Sequence, residues 1–101
     1  MTAPAYLILD TEVIDPVAYE EYKKNAAPIV KKHGGEYLVR GGAFDTPEGN
    51  WPITRLVVIR YPSRAAADAM LNDPDYAPWR ALRLRIAKCN MVVVEGVAEP
   101  V

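Results

Sequence analysis

The sequence contains one cysteine, Cys89, one histidine, His33, and no long uninterrupted hydrophobic run. A single cysteine cannot form an internal disulfide or the multi-ligand set of a structural zinc site. The N-terminal stretch MTAPAYLILD lacks the basic and long apolar regions of a signal peptide, and no run is long enough for a membrane span. These absences predict a cytoplasmic location with no membrane contact, no bound metal and no cofactor.

The chain also lacks an excess of charge of either sign, with twelve Lys and Arg against thirteen Asp and Glu and a formal net charge of -1. Nucleic acids and anionic membranes are bound largely through clustered basic groups, so the composition predicts neither partner. A chain of 101 residues is about the size of one small domain, and we predict a single domain over residues 1–101. The hydrophobic core of such a domain is small, so burial of further surface against a second subunit would add stability.

Apolar periodicity and turn residues divide the chain into alternating strands and helices. Asp15 and Pro16 are suited to the start of a helix, and Gly34 is suited to the left-handed residue after its end. The predicted order is β-α-β-β-α-β, which is the ferredoxin-like fold of the α+β class: a four-stranded antiparallel sheet with helices on one face. The predicted strands are residues 5–13, 36–40, 54–62 and 90–97. The predicted helical regions run from Pro16 to about His33 and from Ser63 to about Leu71, and a helix restarts at Asp73-Pro74.

Side chains alternate across a strand, so each predicted strand divides into two sets. One set is nearly all apolar and is expected under the helices: Leu7, Leu9, Val13, Tyr37, Val39, Val57, Ile59, Tyr61, Val92 and Val94. The other set combines a hydrophobic patch with charged groups: Ile8, Leu38, Leu56, Val58, Met91 and Val93, with Asp10, Arg40, Arg60 and Glu95. Because burial of such a patch is favourable, we predict that a second copy covers it, giving a homodimer through the sheet face.

The charged residues of this second set allow two interpretations. Unpaired charges are costly to bury, so these four groups must form ion pairs at a dimer seam, stay hydrated or hold a polar ligand. The sequence leaves a structural ion-pair network and a ligand site as alternatives.

Three strings, HGGEYLVRGG, WPITRLVVIRYPSRAAADAMLNDPDYAPWRALR and MVVVEGV, together with the preceding N-terminal region, resemble the family called domain of unknown function 1330. Members are similar to the dimeric α/β barrel superfamily, whose ferredoxin-like subunits pair through their sheets. That superfamily includes cofactor-free monooxygenases, a lactone isomerase, dye-decolourising and haem-degrading relatives and proteins with no known activity, so the resemblance implies no particular reaction. Its central motif is matched here by His33, Gly34, Gly35, Arg40, Gly41 and Gly42, whereas Arg60 stands where an acidic residue is common.

Six residues are candidates for a catalytic or binding site. His33 would carry a proton, and Arg40 would hold a carboxylate through its fork of N–H donors. The alternative for His33 is a packing or helix-capping role, and the alternative for Arg40 is an ion pair with an acidic residue of the same face. The predicted ligand contacts are Asp10, Tyr22, Trp51 and Arg60.

These observations predict a small cytoplasmic homodimer that binds a small carboxylated or aromatic organic molecule in a cleft near His33, Arg40, Asp10 and Trp51. If the protein is an enzyme, cofactor-independent isomerisation or monooxygenation fits these residues best. The alternative is a non-catalytic structural or regulatory dimer with no ligand pocket, in which the charged residues form ion pairs at the seam.

Overall fold

The structure, a computed structural model, describes residues 3–98 and has the predicted ferredoxin-like architecture. All paired strands are antiparallel, in the spatial order β2-β3-β1-β4. The second helical region is divided in two, as the predicted restart at Asp73-Pro74 indicates. The elements are β1 (Ala5–Val13), α1 (Pro16–Lys32), β2 (Glu36–Arg40), β3 (Leu56–Tyr61), α2 (Arg64–Leu71), α3 (Ala77–Ile86) and β4 (Ala87–Glu95).

The helix ends follow from local side-chain chemistry. An Asp15 carboxylate oxygen accepts a hydrogen bond from the Ala18 N–H at 3.1 Å, and the Ser63 hydroxyl accepts one from the Ala66 N–H at 3.1 Å. Each bond satisfies an N–H that has no partner within the first turn of a helix. Gly34 has a φ of +80°, which confirms the predicted left-handed residue after α1.

The core lies between the helices and one face of the sheet. The smallest dimension of the molecule is 16 Å, which fits one sheet layer and one helix layer. Within residues 3–98, no helix is both long and apolar enough to cross a membrane. Buried core residues include Leu7, Leu9, Val57, Ile59 and Tyr61 from the sheet and Tyr19, Tyr22, Ala26, Val30, Met70, Tyr76 and Ile86 from the helices.

The predicted orientation of β4 is wrong. Leu7 pairs with Val93 and Leu9 with Met91, so these two β4 residues face the helices, whereas Val92 and Val94 face away and are 56% and 47% exposed. Glu95, which pairs with Ala5, has the same parity as Val93 and does not join the second face. A run of consecutive apolar residues fits either register, and a shift by one residue exchanges the faces.

The predicted orientation of Arg40 is also wrong, because β2 contains an irregularity in its pairing with β3. Tyr37 pairs with Ile59, Val39 with Val58, and Arg40 with Val57, so two β2 positions oppose one β3 position. The extra residue reverses the alternation. Arg40 therefore faces the helices beside Val57, while Val39, predicted to face the helices, lies opposite Val58 on the other face.

The sheet face away from the helices, hereafter the open face, remains largely apolar. Trp51, in the loop before β3, is 69% exposed and borders a groove of about 240 Å³ on this face. Of the four charged residues predicted here, Asp10 and Arg60 have the parity of the open face. Its apolar members are Ile8, Leu38, Val39, Leu56, Val58, Val92 and Val94, all partly or largely exposed.

Candidate functional site

A cavity of about 30 Å³ lies between α1 and the sheet, which is room for about one water molecule. We call it the inter-layer cavity. Its walls are apolar side chains, tyrosines and three cationic residues, and they include no Asp, Glu or His. The lining residues are Leu7, Leu9, Tyr19, Tyr22, Lys23, Ala26, Val30, Tyr37, Arg40, Arg55, Val57, Ile59, Met70, Tyr76 and Met91.

Two arginines occupy the mouth of the cavity. The Arg55 guanidinium donates a hydrogen bond of 3.0 Å to the Tyr19 hydroxyl, and the Arg40 guanidinium lies 4.4 Å from the centre of the Tyr37 ring. Among residues 3–98, neither guanidinium has a carboxylate oxygen within 4.0 Å. Each arginine carries five N–H donors, so both retain donors for a further acceptor.

Gly41 allows Arg55 to lie at this position. Its φ of +74° is a left-handed conformation that glycine adopts without strain, and its N–H donates to the Leu56 carbonyl at 2.8 Å. A Cβ at Gly41 would lie 2.8 Å from Arg55 Nε. The first glycine of the Gly41-Gly42 pair is therefore needed for close packing of the Arg55 guanidinium against the backbone.

Two tyrosine hydroxyls form a hydrogen-bonded pair at the inner end of the cavity. The Tyr22 and Tyr76 oxygens are 2.7 Å apart, and both residues are buried. Burial, and then the neighbouring Tyr76, raise the pKa of Tyr22 well above its usual value. Tyr22 is therefore a neutral hydroxyl that donates and accepts hydrogen bonds and does not act as a base.

Arg83 lies beside this pair, and it is a cation in the core. The residue is 2% exposed, and its Nε has no hydrogen-bond partner within residues 3–98. Burial, the largest single effect, acts to lower the pKa of Arg83, and its contacts with Tyr76, Tyr22 and Cys89 together outweigh it, so the guanidinium stays charged. In the part of the chain that is described, no carboxylate oxygen lies within 4.0 Å of it.

The hydroxyls of Tyr22 and Tyr61 give a matched pair of variants, because both are buried and only one is hydrogen-bonded. We expect Tyr61→Phe to raise the free energy of unfolding by about 1 kcal/mol, since it removes a hydroxyl that has lost water and gained no partner. We expect Tyr22→Phe to lower it by about 1 kcal/mol or more, since the Tyr76 hydroxyl then has no partner. Urea unfolding measures both, and changes of the same sign and size would contradict the assignment.

His33 is held away from the cavity by an ionic cluster at the end of α1. Its Nε2 lies 2.7 Å from an Asp73 carboxylate oxygen, and the Lys32 ammonium donates to the same oxygen at 3.0 Å. The other Asp73 oxygen accepts from the Asp75 N–H at 2.9 Å. The hydrogen bond from His33, then those from Asp75 and Lys32, hold the pKa of Asp73 well below its usual value.

This cluster predicts a pH-dependent stability. The lowered pKa of Asp73 means that its contribution is fully present above the usual value of 3.8 and is lost as the pH falls through the native pKa. We expect Asp73→Asn to lower the thermal midpoint at neutral pH, with a difference from the parent protein that shrinks below about pH 4. Asp75→Asn is the control. Asp75 is exposed, and its carboxylate makes a longer contact of 3.6 Å with the Lys32 ammonium, so its loss should matter less. A difference that does not change between neutral and acidic pH would contradict this role.

The structure distributes the six predicted site residues over three places. Tyr22 and Arg40 line the inter-layer cavity, while Asp10 and Trp51 line the open-face groove and Arg60 is exposed on the same face. His33 contacts Asp73 instead. His33, Arg40, Asp10 and Trp51 are therefore not brought together in one cleft, and the roles assigned to these residues stay predictions.

Asp10 has a structural contact that the sequence did not reveal. Its carboxylate accepts a hydrogen bond of 3.0 Å from the Thr54 N–H, which fixes the loop that leads into β3. Neither Asp10 nor Glu95 pairs with Arg40. Within residues 3–98, no group of three or more His, Cys, Asp or Glu side chains could hold a metal ion.

Two of the predicted site residues, Tyr22 and Arg40, line the inter-layer cavity, but most of its other polar residues were not predicted. Tyr19 and Tyr76 were not among the predicted site residues, and Arg55 was placed only within the predicted strand 54–62. Arg83 carried a detectable signal, because it is a charged residue on the same helix side as the apolar Tyr76 and Ile86. A cation on the buried side of a helix indicates either a partner or a site.

A family comparison matches most of the chain. The family described as Domain of unknown function (DUF1330) matches residues 4–97. No curated protein is a significant match.

Solved structures similar to this chain share its fold at low sequence identity. A protein of unknown function from Rhodopseudomonas palustris is 18% identical, with a TM-score of 0.75 over 98% of this chain and 86% of that one. SnoaB, a cofactor-independent oxygenase from Streptomyces nogalater, is 13% identical, with a TM-score of 0.67 over 99% of this chain and 97% of that one. A dimeric ferredoxin-like protein of unknown function from Jannaschia sp. CCS1 is 13% identical, with a TM-score of 0.61 over 91% of this chain and 98% of that one.

Proposed function

The chain belongs to the DUF1330 family, and on that premise we propose that it is a homodimer that binds a small aromatic carboxylate in the inter-layer cavity of each subunit. The observation that carries the proposal is the pair of arginines, Arg40 and Arg55, at the mouth of a tyrosine-lined cavity with no acidic residue in its walls. Guanidinium groups bind carboxylates through paired N–H donors, and tyrosine faces pack against an aromatic ring.

Entry of a ring requires the cavity to widen from about 30 Å³. Arg40 is exposed and covers the Tyr37 ring, so its side chain can swing outward without disrupting the core. Met70 and Met91 line the walls, and methionine is the most adaptable of the large apolar side chains. A carboxylate bound by Arg40 and Arg55 would place its ring between these methionines and the tyrosines.

A comparison of benzoate with benzyl alcohol tests this proposal. The two molecules have similar size and the same ring, and only benzoate carries a charge for the two arginines. We expect isothermal titration calorimetry to show benzoate binding at least about tenfold more tightly, with affinity that falls as salt is added. Equal affinities, or no binding of benzoate at millimolar concentration, would contradict the proposal.

The homodimer is supported by the open face. Its apolar members form a contiguous surface that the helices do not cover, and exposed apolar patches of this kind mark interaction sites. The Jannaschia protein, described as dimeric, has the same fold. A second copy that stacks its own open face on this one would bury the patch in a symmetric interface.

A second candidate function is cofactor-independent oxygenation of the bound molecule. Its support is the cavity wall without acidic residues, where tyrosine hydroxyls and guanidinium groups would stabilise an anionic form of a substrate. SnoaB, which shares the fold, is described as a cofactor-independent oxygenase. Isomerisation with His33 as proton carrier has less support, because His33 contacts Asp73 and does not line the cavity. Oxygen consumption with a phenolic acid tests the oxygenase candidate.

A further inference from the structure

We infer that the ligand carries a second acidic group, a phenolic hydroxyl opposite its carboxylate, and that the inner end of the cavity binds this group as an oxyanion. The inference rests on the proposed function, because the carboxylate end is placed at Arg40 and Arg55. It adds the chemistry of the other end, where Tyr22 and Tyr76 line the cavity and Arg83, outside the lining, lies beside them.

Arg83 carries a buried charge that no carboxylate within 4.0 Å balances among residues 3–98. A buried guanidinium with no acidic partner is costly, and Arg83 is 98% buried with an unpartnered Nε. The cavity adds no negative charge, since its walls contain no carboxylate. An anionic atom on a ligand beside the tyrosine pair would be stabilised by this guanidinium through a medium of low dielectric.

The tyrosine pair has a hydrogen left to donate. Two hydroxyls carry two hydrogens, and the 2.7 Å bond between Tyr22 and Tyr76 uses one of them. The pair therefore has one more hydrogen to donate, and Tyr22 and Tyr76 both line the cavity. An oxyanion accepts such a bond more strongly than a neutral hydroxyl does.

Neighbouring tyrosine rings connect the two ends. The Tyr19 ring, whose hydroxyl accepts from Arg55, has its centre 5.5 Å from that of Tyr22, and the Tyr22 and Tyr76 centres are 6.4 Å apart. Tyrosine side chains therefore continue from the Arg55 side to the pair of Tyr22 and Tyr76. A para-hydroxylated single-ring acid carries its carboxylate and its phenol at opposite ends of the ring, so it presents one to the arginines and the other to the tyrosines.

A chromophoric ligand tests the inference directly. The probe is a para-hydroxybenzoate with a nitro group beside the phenol, whose phenolate absorbs visible light. We expect the phenol pKa of the bound probe to be lower than that of the free probe by about one unit, which is tenfold tighter binding of the phenolate. Arg83→Met, and the double variant Tyr22→Phe with Tyr76→Phe, should each reduce that shift, and Tyr61→Phe, which removes a hydroxyl outside the cavity lining, should leave it unchanged.

The outcomes separate the two proposals. Binding of benzoate and of the probe, with the same phenol pKa free and bound, would overturn the inference and leave the proposed function intact. Absence of binding of both molecules would overturn the proposed function and the inference with it. If Arg83→Met does not fold, the double variant Tyr22→Phe with Tyr76→Phe decides, and a shift that survives in it overturns the inference.

Discussion

Replacement of Arg55 by glutamine is expected to weaken benzoate binding roughly 30-fold, which corresponds to about 2 kcal/mol. Arg55 is partly buried, and its guanidinium is fixed by the Tyr19 hydroxyl and the Gly41 backbone. A charged donor that is already positioned loses little side-chain freedom when the carboxylate binds. Arg40 is exposed and more mobile, so we expect a smaller loss from Arg40→Gln. Calorimetry on the folded variants measures both effects.

The control for Arg55→Gln is Arg64→Gln. Arg64 is an exposed arginine at the start of α2 that pairs with Asp68 and does not line the cavity. The Arg64→Gln substitution changes the net charge of the chain by the same amount as Arg55→Gln. It therefore measures how much affinity is lost through weaker long-range attraction of the anion. Equal weakening by the two variants would show that the cavity does not bind the carboxylate.

Replacement of Val92 by aspartate is expected to weaken self-association at least about 100-fold, because a symmetric interface would bury two unpaired carboxylates. Val92 is 56% exposed in the single subunit and borders the open-face groove. Sedimentation velocity at micromolar concentration should show a dimer for the parent protein and a monomer for Val92→Asp.

Leu84→Asp is the matched control for Val92→Asp. Leu84 is 63% exposed on α3, which packs on the opposite side of the sheet. Leu84→Asp introduces the same charge at a similarly exposed apolar position. It should leave the dimer intact, because Leu84 lies away from the open face. A dimer that persists in Val92→Asp, or a parent protein that is monomeric, would show that the open face is not a dimer interface. The ligand proposal is tested separately, by calorimetry.

The fold was predictable where the sequence pattern is unambiguous. Asp15-Pro16 and Gly34 mark the two ends of α1 through hydrogen bonding and backbone conformation, which are local properties of the chain. The faces of β1 and β3 follow from the regular alternation of apolar side chains along the two strands, which pair without an irregularity. The face of β4 was not predictable, because the run from Met91 to Val94 is apolar throughout and its register is decided by pairing with β1.

The candidate site was less predictable than the fold. One extra residue in β2 moves Arg40 from the open face to the cavity, and no glycine or proline within β2 signals it. The polar inner end depends on contacts between residues far apart in sequence, such as Tyr22 with Tyr76. His33 was recognised as notable, but its partner Asp73 was assigned only to the start of a helix.

The location of the bound carboxylate is the central claim, and the methyl groups of the methionines report it most directly. The chain has three methionines, of which Met70 and Met91 line the inter-layer cavity. With carbon-13 in those methyl groups, we predict that benzoate shifts the Met70 and Met91 signals in a saturable manner, and that Arg55→Gln suppresses the shifts at the same concentration. Saturable binding by calorimetry with both signals unmoved, or identical shifts in Arg55→Gln, would contradict the account.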